Sequence, residues 1–509
     1  MKKNDYLIAI VTLVYSLLFY HQSGGVNFFI FSIILVTLSL FRNKNLFHQS
    51  DWLAAAAGVL LSGFAVFYYA TLFTIATNLA AIILLAAISF HPASSIFIAA
   101  INGVYSWALA VPSIIVYLLA QHNLQPNGRV SKLKKLLLWV LPVMLSSIFL
   151  WLYREANPLF KEVTDKITFN FISTEWILFT FFGGILMYGF FYQKVIQQLL
   201  EADEKNTDHL QPVSEEAHAN SIVASVISFG SEMYTGIALF ALLNILLFSV
   251  NAIDIYYLYI IQTLPSHLTL SAYLHDGTNA LIISILLAIG IILFFFRGRV
   301  NFVTDNQTIK WLSYVWILQN IFLIVTTASR NWFYISNFGL THKRLGVYIF
   351  LILCIIGLVT SLMKVVSVKS NWFLFRKNSW AGYSFLIIAT LINWDGIIAG
   401  YNLNLAYSKN VKPDTSYLAK LSYTALPVLL QYYELELTHT TKLRIFDPYL
   451  ETALVHRCKE VKNEVNQQSW QSRCLIKLQA CKRMPVTEKM LERAETSYSH
   501  LQRTRSRYN

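Results

Sequence analysis

The chain has 509 residues, 56% of them hydrophobic, 15% aromatic and only 13% charged, with a mean hydropathy of +0.50. A soluble domain keeps about a quarter of its residues charged, and here apolar runs of roughly 17 to 25 residues, enough to cross about 30 Å of hydrocarbon as helix, recur along most of the chain. These values exclude an ordinary soluble enzyme, and the lack of ten-residue alternation excludes a β-barrel.

The chain opens with "MKKNDYLIAIVTLVYSLLFYHQSGG", two lysines before an apolar core. No small-x-small cleavage site follows and further apolar runs do, so the reading is an uncleaved first span rather than a signal peptide. Spans are expected over 6–20, 26–41, 53–72, 74–90, 95–119, 136–153, 175–194, 221–249, 279–296, 310–328, 346–365 and 379–400. Within 53–119, "SFHPASS" at 89–95 either separates two spans or breaks a re-entrant one, so the expectation is about 11 to 13 spans. The Tyr-rich "IDIYYLYIIQTL" at 253–264 is too short to cross and suits an interfacial helix.

Within the apolar stretches a few polar residues stand out. Glu232 lies about eleven residues into the run starting near Ser221, where a carboxylate costs on the order of 2.5–3.5 kcal/mol and is paired, hydrated or protonated. His275 and Asp276 precede a span; an acid at a helix start and a Thr or Asn cap explain them better than a metal site, since no second ligand stands at ligand spacing. In "INWDGIIAGYNL", Asn393, Gly396 and Gly400 share a helix face, with Asp395 and Asn402 on the strip beside it. Gly396 and Gly400 make a small-xxx-small contact that lets helices approach closely. Arg330 and Arg344, at span ends, are the cations expected to pair with Asp395 and clamp the last span; a protonatable acid in a solute pathway is the alternative.

After Tyr401 the sequence becomes polar. Asp414 is expected to cap a helix carrying Tyr417, Leu418, Leu421 and Ala425, with Pro427 closing that helix or opening the next. Asp447 followed by Pro448 caps another, with Leu450, Leu454, Val461 and Val465 as its apolar stripe. The segment 401–509 carries +7 of the net +13; acids are interspersed throughout, which fits a solvated helical surface better than a lipid-headgroup patch. The four cysteines, Cys354, Cys458, Cys474 and Cys481, have no C-x-x-C spacing and lean toward free thiols. No Walker A, H-E-x-x-H, G-x-S-x-G or dinucleotide fingerprint is present, so no cofactor and no metal are expected.

Basic loops mark the cytoplasmic side. "RVSKLKK" at 129–135, "RGR" at 297–299 and the group Lys364, Lys369, Arg376, Lys377 agree with one another and put the tail outside; Lys2, Lys3, Arg42 and Lys44 join them only if 53–119 crosses an even number of times, and the basic tail itself argues the other way.

The segments "LNILLFSVNAIDIYYLY", "AYLHDGTNALIISILLAIGIILFFFRG", "SRNWFYISNFGLTHKRLGVYIF", "INWDGIIAGYNL" and "DTSYLAKLSYTALPVL" resemble, in this order, the bacterial membrane proteins of the domain of unknown function numbered 4173, related to family 4153. The resemblance runs over about 230–480; its motif residues here are Asn393 and Asp395, Phe338 to Arg344, and Asp414 with Tyr417 and Leu418. Where the family often has an acid after the Leu-Ser of the tail, this chain has Tyr423 and Thr424. The resemblance implies a bacterial membrane protein and no particular activity.

The expectation is therefore an all-α, polytopic helical bundle with a small soluble C-terminal helical module, divided as 1–220, 221–400 and 401–509. The expected setting is the bacterial inner membrane, with the tail leaning extracytoplasmic. Its expected partners are the lipid bilayer and a protein bound by the tail, with no nucleic acid. The leading functional expectation is a non-enzymatic sensor or scaffold. A permease using Glu232 and Asp395 stands next, then an enzyme of lipid-linked substrates using His275 and Asp276.

Overall fold

The computed structural model describes residues 3–114, 152–165, 173–211, 229–261, 278–303, 305–438 and 444–483, together with 116, 146, 149 and 150. Among these residues the chain is all-α, and no strand longer than a single bridge occurs. It divides into two compact units, Met1–Glu201 with Asn463–Leu478, and Ala202–Lys462 with Gln479–Asn509.

The first unit contains α1 (Lys3–Phe19), α2 (Val26–Arg42), α3 (Ser50–Tyr69), α4 (Leu72–Phe90), α5 (Ile96–Ala108), α6 (Pro158–Asp165) and α7 (Thr174–Phe191); α8 (Gln197–Lys205) leads out of it. Two breaks inside 53–119 have local causes. Ala70 ends α3 in the left-handed region, and Thr71 opens α4 with a reciprocal capping box to Thr74. α4 ends at His91, and Ser95 precedes α5. Buried amides and small residues join α2, α3 and α4, as membrane helices require. The Asn78 amide donates to Ser32 Oγ (3.1 Å), Ser62 Oγ (3.0 Å) and the Val59 carbonyl (3.0 Å). α7 runs antiparallel to α1, with Tyr20 bonded to Ser173 at one end and Tyr192 to Asp5 at the other.

The second unit contains α9 (Phe229–Ile255), α10 (Thr278–Phe295), α11 (Gln307–Phe338), α12 (His342–Val366), α13 (Asn371–Thr390), α14 (Trp394–Lys409), α15 (Thr415–Lys420), α16 (Leu426–Thr438) and α17 (Pro448–Gln467), which continues into the first unit; α18 (Leu475–Lys482) follows. Phe240, Ile285, Ile292, Phe296, Trp316 and Leu358 centre a core shared by α9 to α12. α9 and α11 lie parallel and are pinned by a repeated contact: Asn244 donates to the Leu312 carbonyl (2.9 Å), and Asn251, seven residues on, donates to that of Gln319 (3.1 Å). The tail caps form as the sequence predicts. Asp414 accepts from the Tyr417 N–H (3.0 Å) and Asp447 from that of Leu450 (2.9 Å), while Pro427 is the second residue of α16.

Among the described residues, five helices are long and apolar enough to cross a membrane, and a sixth span exists if α13 and α14 count as one bent span. Five shorter apolar helices, in the range of 10–17 residues, accompany them among the described residues; the expected 11 to 13 spans include these shorter ones and 136–153, most of which lies outside the described residues. The chain is a multi-pass membrane protein. Two expected elements are corrected. The described part of the stretch 253–264, residues 253–261, is no separate interfacial helix: α9 runs on through a π-helical turn, Tyr256–Ile261, so the Tyr-rich run extends a span. The run 379–400 is no single straight span, because the Asn393 side chain accepts from Gly396 N–H (2.9 Å), starts a new helix, and bends the path by 63°.

Candidate functional site: a polar junction at one end of the second unit

Three segments far apart in sequence meet where α11 turns into α12. The turn itself is built by Gly339, whose φ of +80° a side chain rarely adopts, and a Cβ there would lie 2.6 Å from Asn402 Oδ1. Asn402 satisfies both backbone groups of Leu340, accepting from its N–H (2.6 Å) and donating to its carbonyl (2.9 Å). The turn after α11 and the middle of α14 are thereby sewn together. Thr341 caps α12, placing His342 in its first turn.

Asp395, in the first turn of α14, is buried and fully engaged. Its Oδ1 lies 2.6 Å from His342 Nε2, and Oδ2 accepts from the Ser422 N–H (2.8 Å). The exposed His342 ring faces the Tyr417 hydroxyl with Nδ1 at 3.0 Å, and its backbone N–H donates to the same oxygen at 3.0 Å. Burial holds the Tyr417 phenol above its ordinary range, so it is neutral and bridges as a hydroxyl. Asn393 completes the seam by donating to the Thr424 carbonyl (2.9 Å). The arrangement is a buried carboxylate, an imidazole and a phenol in line; its hydroxyls and N–H groups are occupied in holding α12, α14 and residues 414–424 to one another.

Neither expected arginine partners Asp395. Arg330 pairs instead with the buried Asp254 of α9, whose other oxygen accepts from Thr326 (2.9 Å). Arg344 donates through Nη1 to the carbonyls of Phe338 and Gly339 and lies over the Tyr334 ring, 4.1 Å from its centroid. The reason is directional: a side chain in the first turn of a helix points back toward its N-terminus, so Arg344 folds over the turn before it. Glu232 lies in the first turn of α9 and pairs with Arg297 at 3.0 Å. His275 and Asp276 lie outside the described residues. Gly396 is needed by its own helix cap, since a Cβ would lie 2.5 Å from Asn393 Nδ2; Gly400 makes only an ordinary 3.6 Å contact with Val428. Reading the sequence gives Asp254, His342 and Thr424 no role. Asp254 offered a signal, an acid at the end of an apolar run one helix away from Arg330.

A second docking seam lies in the first unit. The Val26 N–H donates to the Arg473 carbonyl (3.1 Å), the Ser23 N–H to Ser472 Oγ (2.9 Å), and Cys474 Sγ to the Tyr68 carbonyl (3.1 Å). Residues 468–474 thus pack on the α1–α2 turn and the end of α3. All four cysteines are free thiols, and among the described residues no cluster of three metal-ligating side chains occurs.

No curated protein matches the chain. No solved structure matches it. A family model described as "Domain of unknown function (DUF4153)" matches residues 29–432, so that it takes in most of the first unit as well as the junction, and Asn393, Asp395, Phe338 to Arg344, Asp414 and Tyr417, which carry the resemblance in sequence, converge at that junction in space. The chain therefore belongs to the DUF4153 family.

Proposed function

We propose that the protein is a non-enzymatic sensor or scaffold of the bacterial inner membrane that holds its C-terminal segments on the extracytoplasmic face and binds a protein partner there. The observation that carries this reading is the seam of residues 468–474 on the α1–α2 turn and the end of α3. That turn and the α3–α4 turn contain no Lys or Arg, whereas the opposite helix ends carry Lys3, Arg42 and Lys44. Cations mark the cytoplasmic side, which supports an outer location for the docked segment.

In the second unit cations stand at both ends: Lys343 and Arg344 lie at the polar junction, and a second group lies opposite it. Arg297, Arg299, Lys369, Arg376 and Lys377 lie at the ends of α10 to α13 opposite the polar junction. There Arg376 binds Asp203 of α8 (2.9 Å) and Asp208 just after it (2.6 Å), tying the end of α8 to the basic side. The partner surface we assign to the outer face of α17, where Tyr449, Thr452, His456, Lys459 and Lys462 are exposed while Leu450, Leu454, Cys458 and Val461 are buried.

Deleting the tail would remove residues the first unit needs, so the test is on the surface. In cells, wild-type protein should retain a partner that Tyr449→Ala with Lys459→Glu loses, at unchanged protein level. A set of co-purifying proteins unaltered by these substitutions contradicts the reading. The permease reading has less support, since Glu232 and Asp395 are both paired; it requires Asp395→Asn to abolish solute flux while leaving the fold intact.

A further inference from the structure

A groove of about 420 Å³ runs between α11 and α12, lined by Ile324, Ala328, Trp332, Tyr348, Leu351 and Ile355, with Tyr259 of the π-helical turn at its edge. Its size falls in the range of roughly 300–1,000 Å³ typical of small-molecule sites. The few hydroxyls in its wall are already bonded: Tyr259 to Ser329 at 2.9 Å, and Tyr348 to the Ala328 carbonyl at 3.2 Å. What the groove offers an occupant is therefore hydrocarbon contact. Both helices are long and apolar enough to be spans, so the medium outside this groove is the bilayer.

Two cations lie about one turn beyond the groove, outside its lining. Arg344, Tyr348, Leu351 and Ile355 follow one another on a single face of α12 at three- and four-residue spacing, with Ile352 beside Leu351. Arg344 thus stands at the head of the stripe that lines the groove, with exposed Lys343 beside it. Arg330, near the same end, is already matched by Asp254. Arg344 has no carboxylate partner among the described residues, and its held position over Tyr334 fixes the guanidinium at the level where the span ends.

We infer that the groove between α11 and α12 binds the acyl chain of an anionic phospholipid of the surrounding bilayer, with Arg344 and Lys343 at its phosphate. Charge complementarity selects this occupant: the wall takes a hydrocarbon chain, and the cations beyond it take a negative headgroup. A polar solute would meet a wall whose hydroxyls are already engaged. The inference holds whichever side of the membrane the junction faces.

Native mass spectrometry of the full chain, released from a neutral detergent and titrated with phosphatidylglycerol or phosphatidylcholine, tests it. Wild-type protein should retain phosphatidylglycerol about five-fold or more tightly, the effect of about one cation near a headgroup. Arg344→Gln should remove most of the phosphatidylglycerol preference and Lys343→Gln a smaller part, Arg344→Lys should keep most of it, and Ala328→Phe, which fills the groove, should weaken both lipids. Equal retention of the two lipids by wild-type protein overturns the inference, as does binding unchanged by Ala328→Phe. Should Arg344→Gln fail to fold because it also holds the Phe338 and Gly339 carbonyls, Lys343→Gln and Ala328→Phe decide the matter, since neither side chain takes part in that turn.

Discussion

Asp395 shows how a buried charge is tolerated in this chain: its two oxygens are divided between an imidazole and a backbone N–H. Asp395→Asn keeps an acceptor for Ser422 but weakens the contact to His342. Because that ring is exposed, the expected cost is about 1 kcal/mol, read as a small fall in the apparent melting temperature of purified protein. Gly339→Ala should cost more, roughly 1–2 kcal/mol, because it combines an unfavourable φ with a Cβ 2.6 Å from Asn402 Oδ1; an unchanged melting temperature would contradict the described turn. Asp414 adds a pH dependence. The Ser416 hydroxyl and the Tyr417 N–H hold its carboxyl below the ordinary carboxylate value of 3.8, so the folded form binds fewer protons than the unfolded one in that window. Its contribution is complete above pH ~4 and is lost as the pH falls through the folded value; Asp414→Asn should flatten the acid limb of a stability–pH curve. The polar residues of the junction were legible as unusual, but their partners were not. Asp395 and His342 are neighbours because the 63° bend before α14 lays that helix along the α11–α12 turn, and no local pattern encodes that placement.

At the level of elements, the apolar runs located most helices, since burial in lipid leaves little choice but helix. Caps were legible too: Asp414 and Asp447 act where their sequence context predicts. The bend at Asn393 and the continuation of α9 through Ile261 escape the sequence reading for a shared reason. Hydropathy reports where a chain is apolar, and both changes of path occur inside apolar sequence. The tail gives a sharper test of packing. A Cβ on Gly25 would lie 2.5 Å from the Ser472 carbonyl carbon and 2.7 Å from the Arg473 oxygen, both backbone atoms that cannot turn aside. Gly25→Ala should therefore release residues 468–474 and speed limited proteolysis around Arg473 several-fold, while Gly400→Ala, facing Val428 at 3.6 Å, should leave the digestion pattern unchanged. Equal protection in both variants would contradict the docked seam.

For the whole molecule, three of the basic groups read from sequence agree with one another, and Lys2, Lys3, Arg42 and Lys44 join them only if 53–119 crosses an even number of times. The structure adds hydrogen bonds that tie particular turns to particular tail residues, and the helix ends of the first unit support one sidedness. The native thiols are poor reporters of it: Cys458 and Cys474 are buried, and burial pushes both the Cys474 and Cys481 thiols up, which lowers their reactive thiolate fraction. The decisive measurement uses a chain with all four cysteines replaced and a single new one at exposed Lys459 or exposed Asn45, treated with a membrane-impermeant maleimide. Lys459→Cys should label in intact spheroplasts and Asn45→Cys only after lysis; the reverse pattern would put the tail in the cytoplasm and contradict the proposed extracytoplasmic role.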